Sequence, residues 1–178
     1  NVVLEWNTRN NAGTVNNGTI KDCYAQFSTF TGTGSFENCV FANLVNLEGT
    51  SGKYTNCLVY SNVTKNAAMS YQTLTVRANS NNAKVCLADS QFEGTSEFPL
   101  DSSGKIYFTG TPKLKLTLAS GENLTSINGM KPSAYEGIQY LGNNQYTFTP
   151  KAGEDVVIIT DKADEVPLKM EGGKPVTT

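Results

Sequence analysis

Apolar and polar positions repeat along this chain about every seventeen residues. The phrase Gly18-Thr19-Ile20-Lys21-Asp22-Cys23-Tyr24-Ala25 returns as Gly34-Ser35-Phe36-Glu37-Asn38-Cys39-Val40-Phe41. It returns again as Gly52-Lys53-Tyr54-Thr55-Asn56-Cys57-Leu58-Val59. The order is glycine, a small or polar residue, a large apolar residue, a polar residue, Asp or Asn, Cys, any residue, an apolar residue. Apolar–polar–Asx predicts a short strand ending in a residue that tolerates positive φ, and Cys-x-apolar predicts a second strand leaving at an angle. Asp and Asn suit that corner because their short side chains hydrogen-bond locally in the left-handed region. The glycine heading each phrase predicts the opposite bend.

The large apolar markers Ile20, Phe36 and Tyr54 lie 16 and 18 residues apart. Continuing the step meets Tyr71-Gln72-Thr73-Leu74, with Leu74 in the Cys place, and then Leu87-Ala88-Asp89-Ser90-Gln91-Phe92. Looser copies stand at Gly104-Lys105-Ile106-Tyr107-Phe108 and, stepping back, at Leu4-Glu5-Trp6-Asn7. A fixed period predicts a solenoid of about seven coils over residues 1–110, each burying its apolar side chains against its neighbours at a spacing of about 4.8 Å. Asp22, Asn38, Asn56 and Asp89 are expected to form a polar ladder bridging the coils, with the Cys position pointing inward. Beyond residue 110 the phrase stops. Strand-like runs at Lys113–Leu118, Gly137–Leu141, Gln145–Phe148, Val156–Thr160 and Val166–Met170 are separated by turn signals such as Asn128-Gly129 and Gly142-Asn143-Asn144. Residues 111–178 therefore read as a β-rich C-terminal module, a small sandwich or a cap. The opening Asn1-Val2-Val3-Leu4-Glu5-Trp6 already looks like a strand, and the chain is expected to be processed or excised from a longer protein.

A strict six-residue rhythm of aliphatic positions would mark a left-handed solenoid, and stepping by six from Ile20 meets Gln26 and Gly32. The large-x-Asx-small-x-apolar corner instead resembles the right-handed parallel β-helix of the pectate-lyase-like superfamily. That resemblance implies a fold found in polysaccharide lyases and hydrolases, phage tailspikes and bacterial surface proteins. It implies no single function.

Composition narrows the setting. Charged residues make up 17% of the 178, the net charge is -2, and Asn, Thr, Ser and Gly fill the polar positions. This profile fits an all-β extracellular or cell-surface protein. Arg9 and Arg77 are the two arginines, with no basic stripe to neutralise phosphates, so nucleic acid is not an expected partner. No apolar run approaches the roughly 20 residues of a membrane span.

Candidate chemistry is sparse. Histidine is absent, which removes the commonest general base and every Ser-His or Cys-His nucleophile pair. No CxxC occurs either, so neither a metal nor another cofactor is expected. Cys23, Cys39 and Cys57 share one place in the repeat and Cys86 lies out of line. They fit a buried thiol ladder, while an extracellular chain also permits disulfides. By alternation Tyr24 and Gln26 should project outward with Tyr60 nearby, giving an aromatic and amide face suited to sugar. Tyr24, Val40 and Leu58 would form an apolar stripe that calls for cover by another chain or by the C-terminal module.

These readings converge on a non-enzymatic extracellular surface protein, adhesin-like or structural, presenting a flat face to a glycan or a partner protein. A phage tail fibre or tailspike segment, packed as a homotrimer through the Tyr24–Val40–Leu58 face, is the first alternative. A polysaccharide lyase or hydrolase is the second.

Overall fold

A computed structural model describes the backbone of residues 2–5, 13–77, 83–90, 98–99, 104–162, 169–171 and 174–176. Among these residues every regular element is a strand except one 3-10 turn, Pro132–Ala134, so the protein is all-β. The first ten strands are β1 Val2–Glu5, β2 Gly13–Val15, β3 Thr19–Lys21, β4 Cys23–Gln26 and β5 Thr29–Gly32, then β6 Ser35–Glu37, β7 Val40–Ala42, β8 Asn46–Thr50, β9 Tyr54–Thr55 and β10 Leu58–Val59. The rest are β11 Gln72–Arg77, β12 Lys84–Leu87, β13 Phe98–Pro99, β14 Lys105–Phe108, β15 Leu114–Thr117 and β16 Glu122–Ile127. They are followed by β17 Gln139–Gly142, β18 Gln145–Phe148, β19 Val156–Lys162, β20 Lys169–Glu171 and β21 Lys174–Val176.

The three Cys phrases pair in register. Strands β3, β6 and β9 form one parallel sheet, with Ile20 beside Phe36 and Phe36 beside Tyr54. Strands β4, β7 and β10 run parallel in a second sheet, with Tyr24 beside Val40 and Val40 beside Leu58. A third parallel sheet joins β2, β5 and β8, extended by a bridge from Asn46 to Thr64. The predicted corners adopt the predicted conformation: Asp22, Asn38, Asn56 and Asp89 have φ of 53°, 52°, 54° and 58°. The ladder between the first three corners is carried by backbone groups. Asp22 N–H donates to the Glu37 carbonyl at 3.0 Å and Asn38 N–H to that of Thr55 at 2.9 Å.

Two of the glycines heading the phrases, Gly34 and Gly52, act through closeness. A Cβ on Gly52 would lie 1.7 Å from the Gly34 carbonyl oxygen, and one on Gly34 would lie 2.5 Å from that of Gly18. No side chain fits between backbones at that separation.

One expectation is overturned. A right-handed parallel β-helix of seven coils reaching residue 110, and with it the resemblance to the pectate-lyase-like superfamily, does not describe this chain. The strands lie in five separate sheets of mixed orientation. Parallel pairing of the repeat stops at the third Cys phrase, because the strand that pairs next to β10 is β14, running antiparallel. Residues Gly104–Phe108, read as a coil, are thus the strand that turns the sheet around. The copy at Tyr71–Leu74 pairs antiparallel to β14 and parallel to β19. The copy at Leu87 belongs to β12, antiparallel to β15, where the Asp89 carboxylate takes an ion pair from Lys113 at 2.8 Å. Leu4 pairs with Ala25 rather than with Ile20. Trp6, Asn7 and Phe92 lie outside the described residues. Apolar spacing registers a strand without reporting its direction, since both orientations alternate with period two.

Residue 110 does not separate the sheets either. One eight-stranded sheet runs β1-β4-β7-β10-β14-β11-β19-β16, and a five-stranded sheet runs β13-β12-β15-β18-β17. Of the C-terminal runs, β15, β17, β18 and β19 form close to where the pattern placed them, and β20 overlaps the end of the last. β16, which ends just before the Asn128-Gly129 turn, is an additional strand.

Alternation along the eight-stranded sheet sorts its side chains into two cores. Cys23, Ala25, Cys39, Phe41, Cys57 and Val59 pack with Phe30, Phe36 and Leu47 inside the three parallel sheets. Tyr24, Val40, Leu58 and Tyr60 pack in a separate core with Val85, Leu116 and Phe148 of the five-stranded sheet. The eight-stranded sheet is the common wall.

The glycine column yields a comparison within one protein. Gly52→Ala should destabilise by about 2–3 kcal/mol through overpacking against backbone. Gly18→Ala, with nothing within 4 Å among the described residues, should stay within about 1 kcal/mol. Equal urea midpoints for the two variants would refute the close-approach explanation.

Candidate functional site

The face expected to meet a ligand is occupied. Tyr24 and Tyr60 are 6% and 4% exposed, and both belong to the core against the five-stranded sheet. The alternation argument aimed them correctly, away from the thiols. The cover, however, comes from the chain's own second layer, so the apolar stripe with Val40 and Leu58 is sealed internally. The Tyr60 hydroxyl donates to the Val85 carbonyl at 2.7 Å and ties the two layers together. A trimer packed through this face is excluded by the same cover.

Gln26 is half-buried and has a structural role. Its Oε1 accepts from Asn43 Nδ2, and Asn43 Oδ1 accepts in turn from Asn62 Nδ2 at 3.4 Å. This amide ladder climbs the stack at the corner after β4 and β7, with steps of 17 and 19 residues that match the period. The spacing was visible in the sequence, although Gln26 read there as a ligand contact. A second column of amides closes the glycine side. Asn16 Nδ2 donates to the Ser35 carbonyl at 2.9 Å, and Asn17 Oδ1 accepts from Thr33 N–H at 3.2 Å.

The four cysteines are buried free thiols. Cys39 Sγ donates toward the Glu37 carbonyl at 3.3 Å, and Cys57 Sγ toward Thr55 at 3.4 Å and Phe36 at 3.7 Å. A hydrogen bond shared with Cys57, and then burial, push the Cys39 thiol well above the ordinary thiol range. Burial pushes Tyr54 up to about 12, against the hydrogen bond from Thr50 that lowers it. Cys39 and Tyr54 are thus held protonated inside a core, the opposite of what an attacking thiolate needs.

One carboxylate of the parallel sheets is likewise engaged in pairing. Glu37 lies 3.2 Å from Lys21 on the outer face of the β3-β6-β9 sheet, beside a Thr19–Ser35 hydroxyl contact at 3.0 Å. Among the described residues no cluster of three or more Cys, Asp or Glu is placed to hold a metal ion. Asp161 is exposed at the end of β19, and its sequence neighbours Asp164 and Glu165 lie outside the described residues.

Exposed aromatic surface lies elsewhere. Tyr140 of β17 is 61% exposed and faces its cross-strand partner Tyr146 of β18, with ring centroids 4.9 Å apart and planes at 38°. Gln139 and Asn143 are exposed beside it, and Gln145 is half-buried. A second aromatic group, Tyr71 against Tyr107 at 5.4 Å, carries the Lys65 ammonium 3.9 Å from the Tyr107 centroid. It covers the place where β14 closes the stack. The sequence reading passed over the Tyr140–Tyr146 pair. Its signal was the Gly142-Asn143-Asn144 turn, which sets the two tyrosines opposite each other once the flanking runs are paired.

Two outcomes follow. Tyr60→Phe should cost about 1 kcal/mol by removing the hydrogen bond to the Val85 carbonyl, and Tyr24→Ala about 3–5 kcal/mol as a core truncation. Chemical denaturation measures both, and a change in stability below about 0.5 kcal/mol for Tyr24→Ala would place that ring back on the surface. Stability should also fall as pH rises above the ordinary thiol value of 9.0. An acid whose folded pKa is raised keeps its proton while the unfolded chain releases it, so folding loses up to about 2 kcal/mol at Cys39 by pH 10.5. Cys39→Ala should flatten that slope in thermal melts across pH 8 to 10.5; an unchanged slope would assign it to other groups.

Comparison of the chain with protein families, with curated proteins and with solved structures found no match, so the geometry above is what a functional reading has to stand on.

Proposed function

We propose that this chain is a non-enzymatic module of an extracellular surface protein, in which a rigid β scaffold holds a binding face toward a glycan or a partner protein. The three short parallel sheets share one apolar core. The observation that carries the proposal is the shared wall. Cores on both faces of the eight-stranded sheet are joined by it, and the stack is pinned at its corners by amide ladders and close glycine contacts. Such a body resists bending, which suits a part that presents a surface at a distance.

The chemistry-bearing side chains fit this reading. Core thiols are enclosed, with the Cys39 proton held in place, Glu37 is paired, and the tyrosines of the predicted face are packing residues. A polysaccharide-cleaving enzyme would need a general acid and base facing one substrate bond.

The test uses the intact chain on a glycan array and in pull-down from surface extracts, with a depolymerisation assay on acidic and neutral polysaccharides alongside. Binding of a glycan or one defined protein without chain cleavage is the expected result. Release of reducing ends or unsaturated uronate products would overturn the proposal in favour of an enzyme.

A further inference from the structure

We infer that the β17–β18 hairpin is a platform for a neutral glycan, with Tyr140 stacking on a sugar ring and the amide of Asn143 at the adjoining turn contacting its hydroxyls. The inference rests on the presenting function proposed above and moves the ligand face to the edge of the five-stranded sheet.

The two tyrosines differ in a useful way. Tyr146 is half-buried and packed against the core, and burial raises its hydroxyl pKa. Tyr140 lies over it with most of its surface in solvent. One ring is fixed by the core and supports the other. A pyranose presents polarised C–H groups on one face and hydroxyls around its rim. The negative face of an aromatic ring attracts the first, and planar amides supply both donors and acceptors to the second. Asn143 places an exposed amide at the turn that follows the ring, while Gln139 and Gln145 alternate onto the other face of the sheet from Tyr140 and Tyr146.

The hairpin is also preorganised. Asn143 and Asn144 have φ of 50° and 59°, the two-residue primed turn that fits the twist of paired strands. Asn144 Nδ2 donates to the Ala119 carbonyl at 3.1 Å, and Leu118 N–H donates to the Asn144 carbonyl at 2.9 Å. These bonds fix the turn to the end of β15 before any ligand arrives, which lowers the ordering cost of binding.

Charge selects among sugars. From Gly137 to Pro150 the chain has no charged residue, although Lys131, Glu136, Lys151 and Glu154 flank it. A uronate or sialate meets no cation within the hairpin, whereas a neutral hexose loses nothing by their absence.

Isothermal titration of the full chain tests this with neutral tetra- to hexasaccharides of glucose, mannose and galactose, and with one oligouronate. At least one neutral oligosaccharide should bind. Tyr140→Ala should weaken it about tenfold or more, with the thermal midpoint kept. Tyr140→Phe should stay within about threefold, and Tyr71→Ala, an exposed aromatic elsewhere, should bind as the parent does. No neutral binding, preference for the oligouronate, or unchanged binding in Tyr140→Ala would each overturn the inference. So would a dimer dissociated by Tyr140→Ala, because the hairpin edge would then be taken by a second copy. Capture of a protein partner with no sugar binding would sink the hairpin inference while leaving the presenting function standing.

Discussion

The turn between the paired strands of each Cys phrase is the constraint on which this structure depends. The chain must change direction between Lys21 and Cys23, between Glu37 and Cys39, and between Thr55 and Cys57 without losing register. It does so by placing one residue at positive φ, a conformation that costs an ordinary L residue roughly 1–2 kcal/mol and costs Asp or Asn less. Asp22, Asn38 and Asn56 take nearly identical angles there, which is why Cys follows at the same height in all three phrases. A corner one residue longer would exchange the two faces of the following strand. Tyr24, Val40 and Leu58 would then enter the thiol core, and Cys23, Cys39 and Cys57 would face the second layer. The opposite side is held by exclusion: with a Cβ position on Gly52 only 1.7 Å from the Gly34 oxygen, spacing at that column is set by backbone alone.

Ending such a stack is a separate problem, because a parallel sheet otherwise exposes an edge of unpaired amides. Strand β14 solves it by pairing antiparallel to β10 while passing the sheet on to β11. The last corner is closed by the residues that follow: Thr111 N–H donates to Asn56 Oδ1 at 2.9 Å, and Cys57 N–H to Thr109 Oγ1 at 3.0 Å. Gly110, at φ 67°, passes so close to Asn56 that a Cβ would sit 2.6 Å from its Oδ1. Asn56 thus works as a corner for its own phrase and as an acceptor for the strand that terminates the series. The side chains of β14 serve both cores, with Ile106 and Phe108 on one side and Tyr107 on the other.

The corner was legible in the sequence because positive φ selects residue types by local sterics, which no distant contact alters. That holds even for Asp89, whose φ matches the others although its strand lies in an antiparallel sheet. The direction of pairing was not legible, because Leu87 to Phe92 repeats the side-chain pattern of Phe36 to Phe41 and the pattern is indifferent to polarity. The inside–outside division of β4, β7 and β10 was readable from alternation. What covered the outer side was not, since Val85, Leu116 and Phe148 reach it through pairings of high sequence separation. Gln26 shows the same limit at a single residue. Its outward direction followed from the strand, while its use in a ladder depended on Asn43 and Asn62 arriving at the same corner. The hairpin pair was within reach of the pattern, because the Gly142-Asn143-Asn144 turn was recognised but its flanking residues were not set opposite each other.

A wall packed on both faces leaves little of itself for recognition, and this shifts any binding surface toward places where a covering layer runs out. The five-stranded sheet shows the transition strand by strand. Leu116 of β15 is fully buried, its neighbour Tyr146 on β18 is half-covered, and Tyr140 beside that on β17 is mostly in solvent. Along this row the side chains change from a core to a surface without leaving the face of the sheet. The same packing that withdraws Tyr24 and Tyr60 from contact therefore supports Tyr140 from beneath. A ligand meeting Tyr140 would rest on a ring whose position is set, through Tyr146 and Leu116, by the core that the corners of the stack hold in register.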